Sequence, residues 1–320
     1  DEAERIYKAH VEKFLEVPVP EPPVPSLIIY NDGITQNVSY VVNHQLNTVT
    51  SIYDNPGDGT ITSEGAEYAC KNWDSSTCRN LHNSIRHDQI TSTATVIQYV
   101  VKYIQSNDDE NSHKNHAVFL ASGFAGSPLY ATITDATKAT MCPLNLSNYL
   151  IYNTFIKNLY RFIDDSDSSS WLKDECISYI TNTELNEKKT GVSFSKGVIL
   201  NSSKFGEYNH LSGFDEIITQ LSKDGHTHYK DLFGVGYNYI HFPFLNDDTY
   251  KELKENIEKY HTKTGQKSIL AGFEQGSNFI ENFITNYVTS SWAQQYVSAV
   301  IFYAPYFGGS GTYERLITGT

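Results

Sequence analysis

The chain has 320 residues and a formal net charge of −13, with 37 Asp and Glu against 24 Lys and Arg. A surface of that sign lacks the basic stripe that nucleic acid or an anionic membrane selects, so neither is an expected partner. No apolar run reaches the length of a membrane span, and the length suits one large or two ordinary domains.

Residues 1–16 read as an amphipathic helix with Ile6, Val11, Phe14 and Leu15 on one side, ended by a stiff proline-rich connector over residues 18–25. Residues 26–30 and 39–42 read as strands, and residues 54–60, Asp-Asn-Pro-Gly-Asp-Gly-Thr, as a turn. A helix is predicted over 93–104, and the polar residues 105–116 read as a linker. Past it the pattern changes. Residues 117–121 are a continuous apolar run of the kind a buried parallel strand shows, followed by the turn Ser122-Gly123-Phe124-Ala125-Gly126-Ser127-Pro128. Helices over 214–221, 249–261 and 278–288 alternate with strands over 231–235, 267–270 and 297–303, and Lys251, Glu255 and Lys259 stand at i,i+4 spacing. Strands alternating with helices imply a mostly parallel sheet with helices on both faces, an α/β hydrolase-like order.

Within that order, Gly272-Phe273-Glu274-Gln275-Gly276 has the frame of a nucleophile elbow, in which flanking glycines let a strand turn sharply into a helix and thrust the central side chain into a site. The central residue here is a glutamate. Four cysteines, two of them eight positions apart, fit an oxidising compartment, as do the three glycosylation sequons at Asn37, Asn145 and Asn201. Four reduced thiols in a cytosolic protein are the alternative. A chain that begins at Asp1, with neither an initiator Met nor a signal peptide, is expected to be a processed or trimmed piece of a longer polypeptide.

From His116 onward the chain resembles the lecithin–cholesterol acyltransferase and lysosomal phospholipase family. Val118-Phe119-Leu120 with Gly123-Phe124-Ala125-Gly126-Ser127-Pro128-Leu129 is similar to its first strand and oxyanion loop, which places Phe124 and Gln275 at the oxyanion positions. Phe205-Gly206, Asp231 to Tyr237 and Ala304 to Gly309 match further landmarks in order. The resemblance implies a lid loop closed by Cys142 and Cys176; a second disulfide is expected between Cys70 and Cys78. Residues 1–108 resemble the same family, but its C-terminal end: Gly57-Asp58-Gly59-Thr60 is similar to the turn bearing the triad acid, and Ile85-Arg86-His87-Asp88 to the segment bearing the triad histidine. The family order is Ser, Asp, His, whereas here Asp58 and His87 precede the elbow.

Two arrangements account for that inversion. One is a circular permutant that folds into a single core. The other, favoured by the missing start, joins the tail of one repeat (residues 1–108) to the head of the next (residues 109–320), so that each half is completed by a neighbour and head-to-tail contacts build an array.

Ester chemistry on this scaffold needs a hydroxyl, a histidine to take its proton, an acid to orient that histidine, and N–H groups facing the oxyanion. Asp58 and His87 are candidates for two of these, but Glu274 has no hydroxyl, and its charge favours imidazolium over a free base. The expected protein is therefore a catalytically inactive homologue, secreted or lumenal, acting as a structural or binding element through self-association, with lipid a candidate ligand and no cofactor or metal. A lipid-directed acyl hydrolase, or a hydrolase using Glu274 as nucleophile, is the competing expectation; Ser277, three residues past the elbow centre, belongs on the following helix. The remaining signals take structural readings: His113, His116, His226 and His228 as solvated loop histidines, residues 54–58 as a plain turn rather than a calcium loop, and the aromatics of residues 237–244 as core.

Overall fold

A computed structural model describes residues 19–43, 48–106, 116–123, 126, 129–133, 149–150, 184–185, 192–193, 198–202, 205–206, 213–239 and 246–307. Its strands are β1 (Ser26–Tyr30), β2 (Ile34–Asn43), β3 (Thr48–Gly57), β4 (Ser76–Asn80), β5 (Ala117–Ala121), β6 (Leu129–Ile133), β7 (Tyr149–Leu150), β8 (Glu184–Leu185), β9 (Val192–Ser193), β10 (Val198–Ser202), β11 (Leu232–Gly234), β12 (Ser268–Phe273) and β13 (Val297–Tyr303). The helices are α1 (Glu64–Asn72), α2 (Ala94–Ser106), α3 (Asp215–Lys223), α4 (Asp247–Thr264), α5 (Gln275–Asn282) and α6 (Ser290–Tyr296), with a π-helical turn over Phe283–Tyr287.

Six strands form one sheet in the order β11-β5-β12-β13-β1-β4, and every neighbouring pair is parallel. The continuous apolar runs of β5, β12 and β13 follow from this, because a parallel sheet covered on both faces has no polar side. Alternate residues feed two cores. Phe119 of β5 and Ile28 of β1 pack on one face with Leu253 and Ile257 of α4 and Phe279 and Ile280 of α5. Val118 and Leu120 of β5 and Leu27 and Ile29 of β1 pack on the other with Val96, Val100 and Ile104 of α2 and Ile217 and Leu221 of α3. The spacing of the α2 residues, four apart, is the helical stripe that faces a core.

The two chain segments meet in the middle of this sheet. Ser26 of β1 stands opposite Val300 of β13, and Ile29 opposite Tyr303. The expectation that each half is completed by a neighbouring copy is thereby corrected. β1 and β4 continue the sheet of residues 117–303 within one chain, so the strand edge whose exposure motivated head-to-tail assembly is paired internally.

Other expectations shift in detail. Residues 54–57 are not turn but the end of β3, which pairs antiparallel with β2 from Asn43↔Thr48 to Ile34↔Gly57; the turn starts at Asp58. β2 is correspondingly longer than residues 39–42. The segment 278–288 is not one α-helix, since α5 ends at Asn282 and passes into the π turn. On α4 the ion pair joins Lys254 to Glu258, which also accepts a hydrogen bond from Trp292, rather than Lys251 to Glu255. The histidines expected in solvent are buried or bonded: His116 Nδ1 bonds the Lys267 carbonyl and His228 Nε2 the Gly206 carbonyl, while His226 packs near Asp231. Among the described residues no group of His, Cys, Asp and Glu is placed to hold a metal, and no helix is long and apolar enough to cross a membrane. Tyr237 and Tyr239 are core, as expected. Residues 1–18, most of the linker, His113, Phe124, Cys142, Cys176 and Asn145 lie outside the described residues, while Asn37 and Asn201 fall on β2 and β10.

Cys70 and Cys78 form the expected disulfide, joining α1 to β4. Closing so short a loop restricts the unfolded chain by about 2–3 kcal/mol. Cys70→Ser is expected to lower unfolding stability by that amount in urea titration, with the parallel pairing of β4 on β1 keeping the fold itself intact.

Candidate functional site

The site is built at the C-terminal ends of the sheet strands, where β12 ends in the tight turn that starts α5. Glu274 occupies the turn with φ 53° and ψ −119°, a conformation that costs a non-glycine residue roughly 1–3 kcal/mol. The surrounding backbone holds it there. Glu274 N donates to the Tyr303 carbonyl at 2.9 Å, Ser277 N donates to the Glu274 carbonyl at 2.9 Å, and the Ser277 hydroxyl donates to the Gly272 carbonyl at 2.8 Å. Ser277 thus braces the elbow from beneath, as its helical position implied. The glycine frame is a packing requirement: a Cβ on Gly272 would overlap the Gly276 carbonyl, and one on Gly276 would overlap the Ala121 carbonyl at the end of β5.

Asp58 and His87 arrive from the other segment. Asp58 is 3% exposed; its Oδ1 accepts from Thr60 N at 2.9 Å and Ile61 N at 2.8 Å, and its Oδ2 pairs with His87 Nδ1 at 2.6 Å. The backbone repeats the contact, since His87 N donates to the Asp58 carbonyl at 2.9 Å. The imidazole stacks on Phe273, the residue before the elbow centre, with ring centroids 4.9 Å apart. Asp58, His87 and Glu274, widely separated and inverted in sequence, therefore converge in one chain.

Their charges are coupled. Burial pushes the His87 pKa down, but the charge and hydrogen bond of Asp58, followed by the charges of Glu274 and Asp88, more than reverse it, so the net shift is upward. Tyr237 lies on the same side: its hydroxyl donates to the Ser122 carbonyl at 2.8 Å, and burial, reinforced by Glu274, holds its pKa well above the usual phenol value. Gln275, expected at an oxyanion position, ties its side-chain amide to the Tyr239 carbonyl at 2.9 Å; its backbone N–H is the group an elbow turns toward a developing charge.

Two residues take roles that sequence reasoning did not assign, Gly123 having been placed only within the oxyanion-loop resemblance and Asn31 having been missed. Gly123, at the end of β5, lies directly against the Glu274 side chain. Asn31, 2% exposed at the end of β1, donates to the Asn83 and Ile85 carbonyls at 2.9 and 2.8 Å and accepts from Asn83 N at 3.1 Å and Gly33 N at 3.3 Å. It thereby clamps the strut that leads into His87. A lone asparagine after an apolar strand is the one signal available, and it reads as an ordinary turn residue.

A parallel sheet with helices on both faces, a glycine-framed elbow after a central strand, and an Asp–His pair at the same end define an α/β hydrolase-like protein. The family model for lecithin:cholesterol acyltransferase matches residues 146–320, just over half of the chain, and the chain belongs to that family. The match contains the elbow and leaves Asp58 and His87 outside it. No match was found among curated proteins.

Because the folded pKa of His87 is raised, its contribution to stability is fully present below the unfolded value near 6.5 and is lost as pH rises through the folded value. Urea unfolding between pH 5 and 9 is expected to show that loss in the wild type and a flatter profile in His87→Gln; Asp58→Asn is expected to lower the His87 midpoint read by NMR. Asn31→Ala leaves part-buried backbone groups of the 83–85 strut unpaired, so a loss of about 1–2 kcal/mol in unfolding stability is expected, together with a displaced His87 midpoint.

Proposed function

We propose that this chain is a catalytically inactive member of the lecithin:cholesterol acyltransferase family that serves as a binding or structural element outside the cell or in the lumen of the secretory pathway. The observation that carries the reading is Glu274 at the centre of the elbow, in the strained backbone conformation that aims a nucleophile, facing a His87 that Asp58 holds in place. The geometry of an acyl-transfer site is assembled and its hydroxyl is missing. The charges of Asp58 and Glu274 also raise the His87 pKa, which favours the protonated ring over the free base that the chemistry needs.

The inverted order of Asp58, His87 and Glu274 supports a circular permutant, with residues 1–108 standing for the family's C-terminal part and residues 109–320 for its N-terminal part. The disulfide between Cys70 and Cys78 supports an oxidising compartment, where Asn37, Asn145 and Asn201 are candidate glycosylation sites and a Cys142–Cys176 bridge would close the lid loop. Lipid remains the natural candidate ligand for a family of this substrate class. Self-association would rest on surfaces other than the sheet edge closed by β1 and β4.

Purified protein is expected to release no p-nitrophenol from short-chain esters above the buffer rate. Glu274→Ser is expected to restore measurable turnover with a rate that falls below the His87 midpoint, because His87 must be neutral to take the serine proton. Wild-type hydrolysis abolished by Glu274→Ala would instead establish the carboxylate as a nucleophile.

A further inference from the structure

The side chain of Glu281 is buried without a cation. It lies one turn beyond Ser277 on the same side of α5 and is 9% exposed, and among the described residues its carboxyl has a single hydrogen-bond partner, the Thr285 hydroxyl at 3.0 Å. The surroundings supply no positive charge to offset burial. α5 packs against β5, β12, β13 and the π-helical turn, and none of these carries a charged residue. Their titratable side chains are Tyr303, which lies in the opposite core, and Tyr287, which stacks on Phe283. From α4 the facing groups are Tyr250, on which the Glu281 charge acts, and Asp247 beyond it; Lys254 is turned to Glu258.

The hydrogens at Thr285 do not suffice for an ionised neighbour. Its hydroxyl carries one hydrogen and stands within bonding distance of two oxygens of the same residue, the Glu281 carbonyl at 2.8 Å and the Glu281 carboxyl at 3.0 Å. A carboxylate can only accept, so one of the two contacts would then lack a hydrogen. A protonated carboxyl makes both: Thr285 donates to the carbonyl, and Glu281 donates to the Thr285 oxygen. That carbonyl lies where α5 gives way to the π-helical turn, which closes with Val288 N donating to the Phe283 carbonyl at 3.1 Å. Burial acts in the same direction as the hydrogen count, pushing the Glu281 pKa up to about 7 against a partial offset from Thr285.

We propose that Glu281 and Thr285 form a proton-operated latch at the junction of α5 and the π-helical turn. In the closed form the neutral carboxyl donates to Thr285 and leaves the threonine hydrogen on the Glu281 carbonyl. When the carboxyl loses its proton to solvent, the carboxylate takes the threonine hydrogen and the carbonyl is released. Because the folded pKa is raised, the stabilising effect of the proton is full below the unfolded value of 4.5 and is lost as pH rises through about 7. The latch is independent of the chemistry at Glu274.

The test compares the full chain with Glu281→Gln, which keeps the volume, stays neutral and donates to Thr285 through its amide. Both are read in a His87→Gln background, which removes the other group with a raised pKa in this range. With Glu281 present, its carboxyl carbon resonance is expected to titrate near pH 7, and amide exchange over residues 281–288, corrected for the intrinsic rate, to lose protection with the same midpoint. In Glu281→Gln that protection is expected to stay level from about pH 5 to about pH 9, and the thermal midpoint at the alkaline end to lie roughly 5 °C higher than with Glu281. Thr285→Val is expected to raise the carboxyl midpoint, since the carboxylate loses its donor. A carboxyl midpoint at the ordinary glutamate value, or a pH-dependent loss of protection that persists in Glu281→Gln, overturns the latch. If Glu281→Gln does not fold, the carboxyl titration and Thr285→Val decide, and a midpoint that Thr285→Val leaves unchanged overturns it.

Discussion

The backbone of Glu274 is the constraint on which the site depends. A residue with φ 53° at that turn is tolerated because β5, β12 and β13 converge beneath it: Tyr303 accepts its N–H, Ala121 leaves no room for anything but glycine at 276, and Ser277 ties the following helix back to Gly272. The strain is thus sustained by a parallel sheet rather than by the loop itself. Any side chain placed at position 274 is delivered to the same spot, opposite His87. That is why the chemistry of the protein turns on one residue while its architecture does not.

Electrostatically the site couples three largely buried groups: Asp58 pairs with His87, and the charges of Asp58 and then Glu274 hold the His87 pKa above its ordinary value despite burial. Glu281, buried on α5 beyond the elbow, shifts in the same sense: burial, only partly offset by the Thr285 hydroxyl, pushes its pKa up to about 7. Both groups favour the proton-bound form in the folded chain, so mild acidity strengthens the region around α5 and alkalinity weakens it.

Much of this was legible in the sequence. The glycine frame around Glu274, the apolar runs of residues 117–121 and 297–303 and the eight-residue Cys70–Cys78 spacing carry their structural meaning locally, and the structure places them accordingly. What failed was reading tertiary consequence from local chemistry. Asn55, Pro56 and Gly57 look like turn formers, yet the register of β2 extends them, since an outlying two-stranded ribbon accepts a proline that a central strand would not. The imidazoles of His116 and His228 look solvated in sequence and are bonded to carbonyls more than twenty positions away. The inverted order of the motifs left permutation and array both open, because order says nothing about whether β1 can reach β13.

That β1 does reach β13 makes the protein's own synthesis demanding. The strand with Ser26 leaves the ribosome first, and the strand with Val300 that it pairs with is among the last segments of the described chain to follow. At ribosomal rates the interval is roughly tens of seconds. During it Leu27, Ile28 and Ile29, all fully buried in the end, can pair with β4 on one side and meet α1 and α2, but the side that belongs to β13 stays open. Such long-range pairing slows folding and leaves an adhesive strand exposed. A chain of this connectivity leans on whatever shields nascent strands in its compartment, and its yield is set by that protection as much as by the stability of the finished sheet.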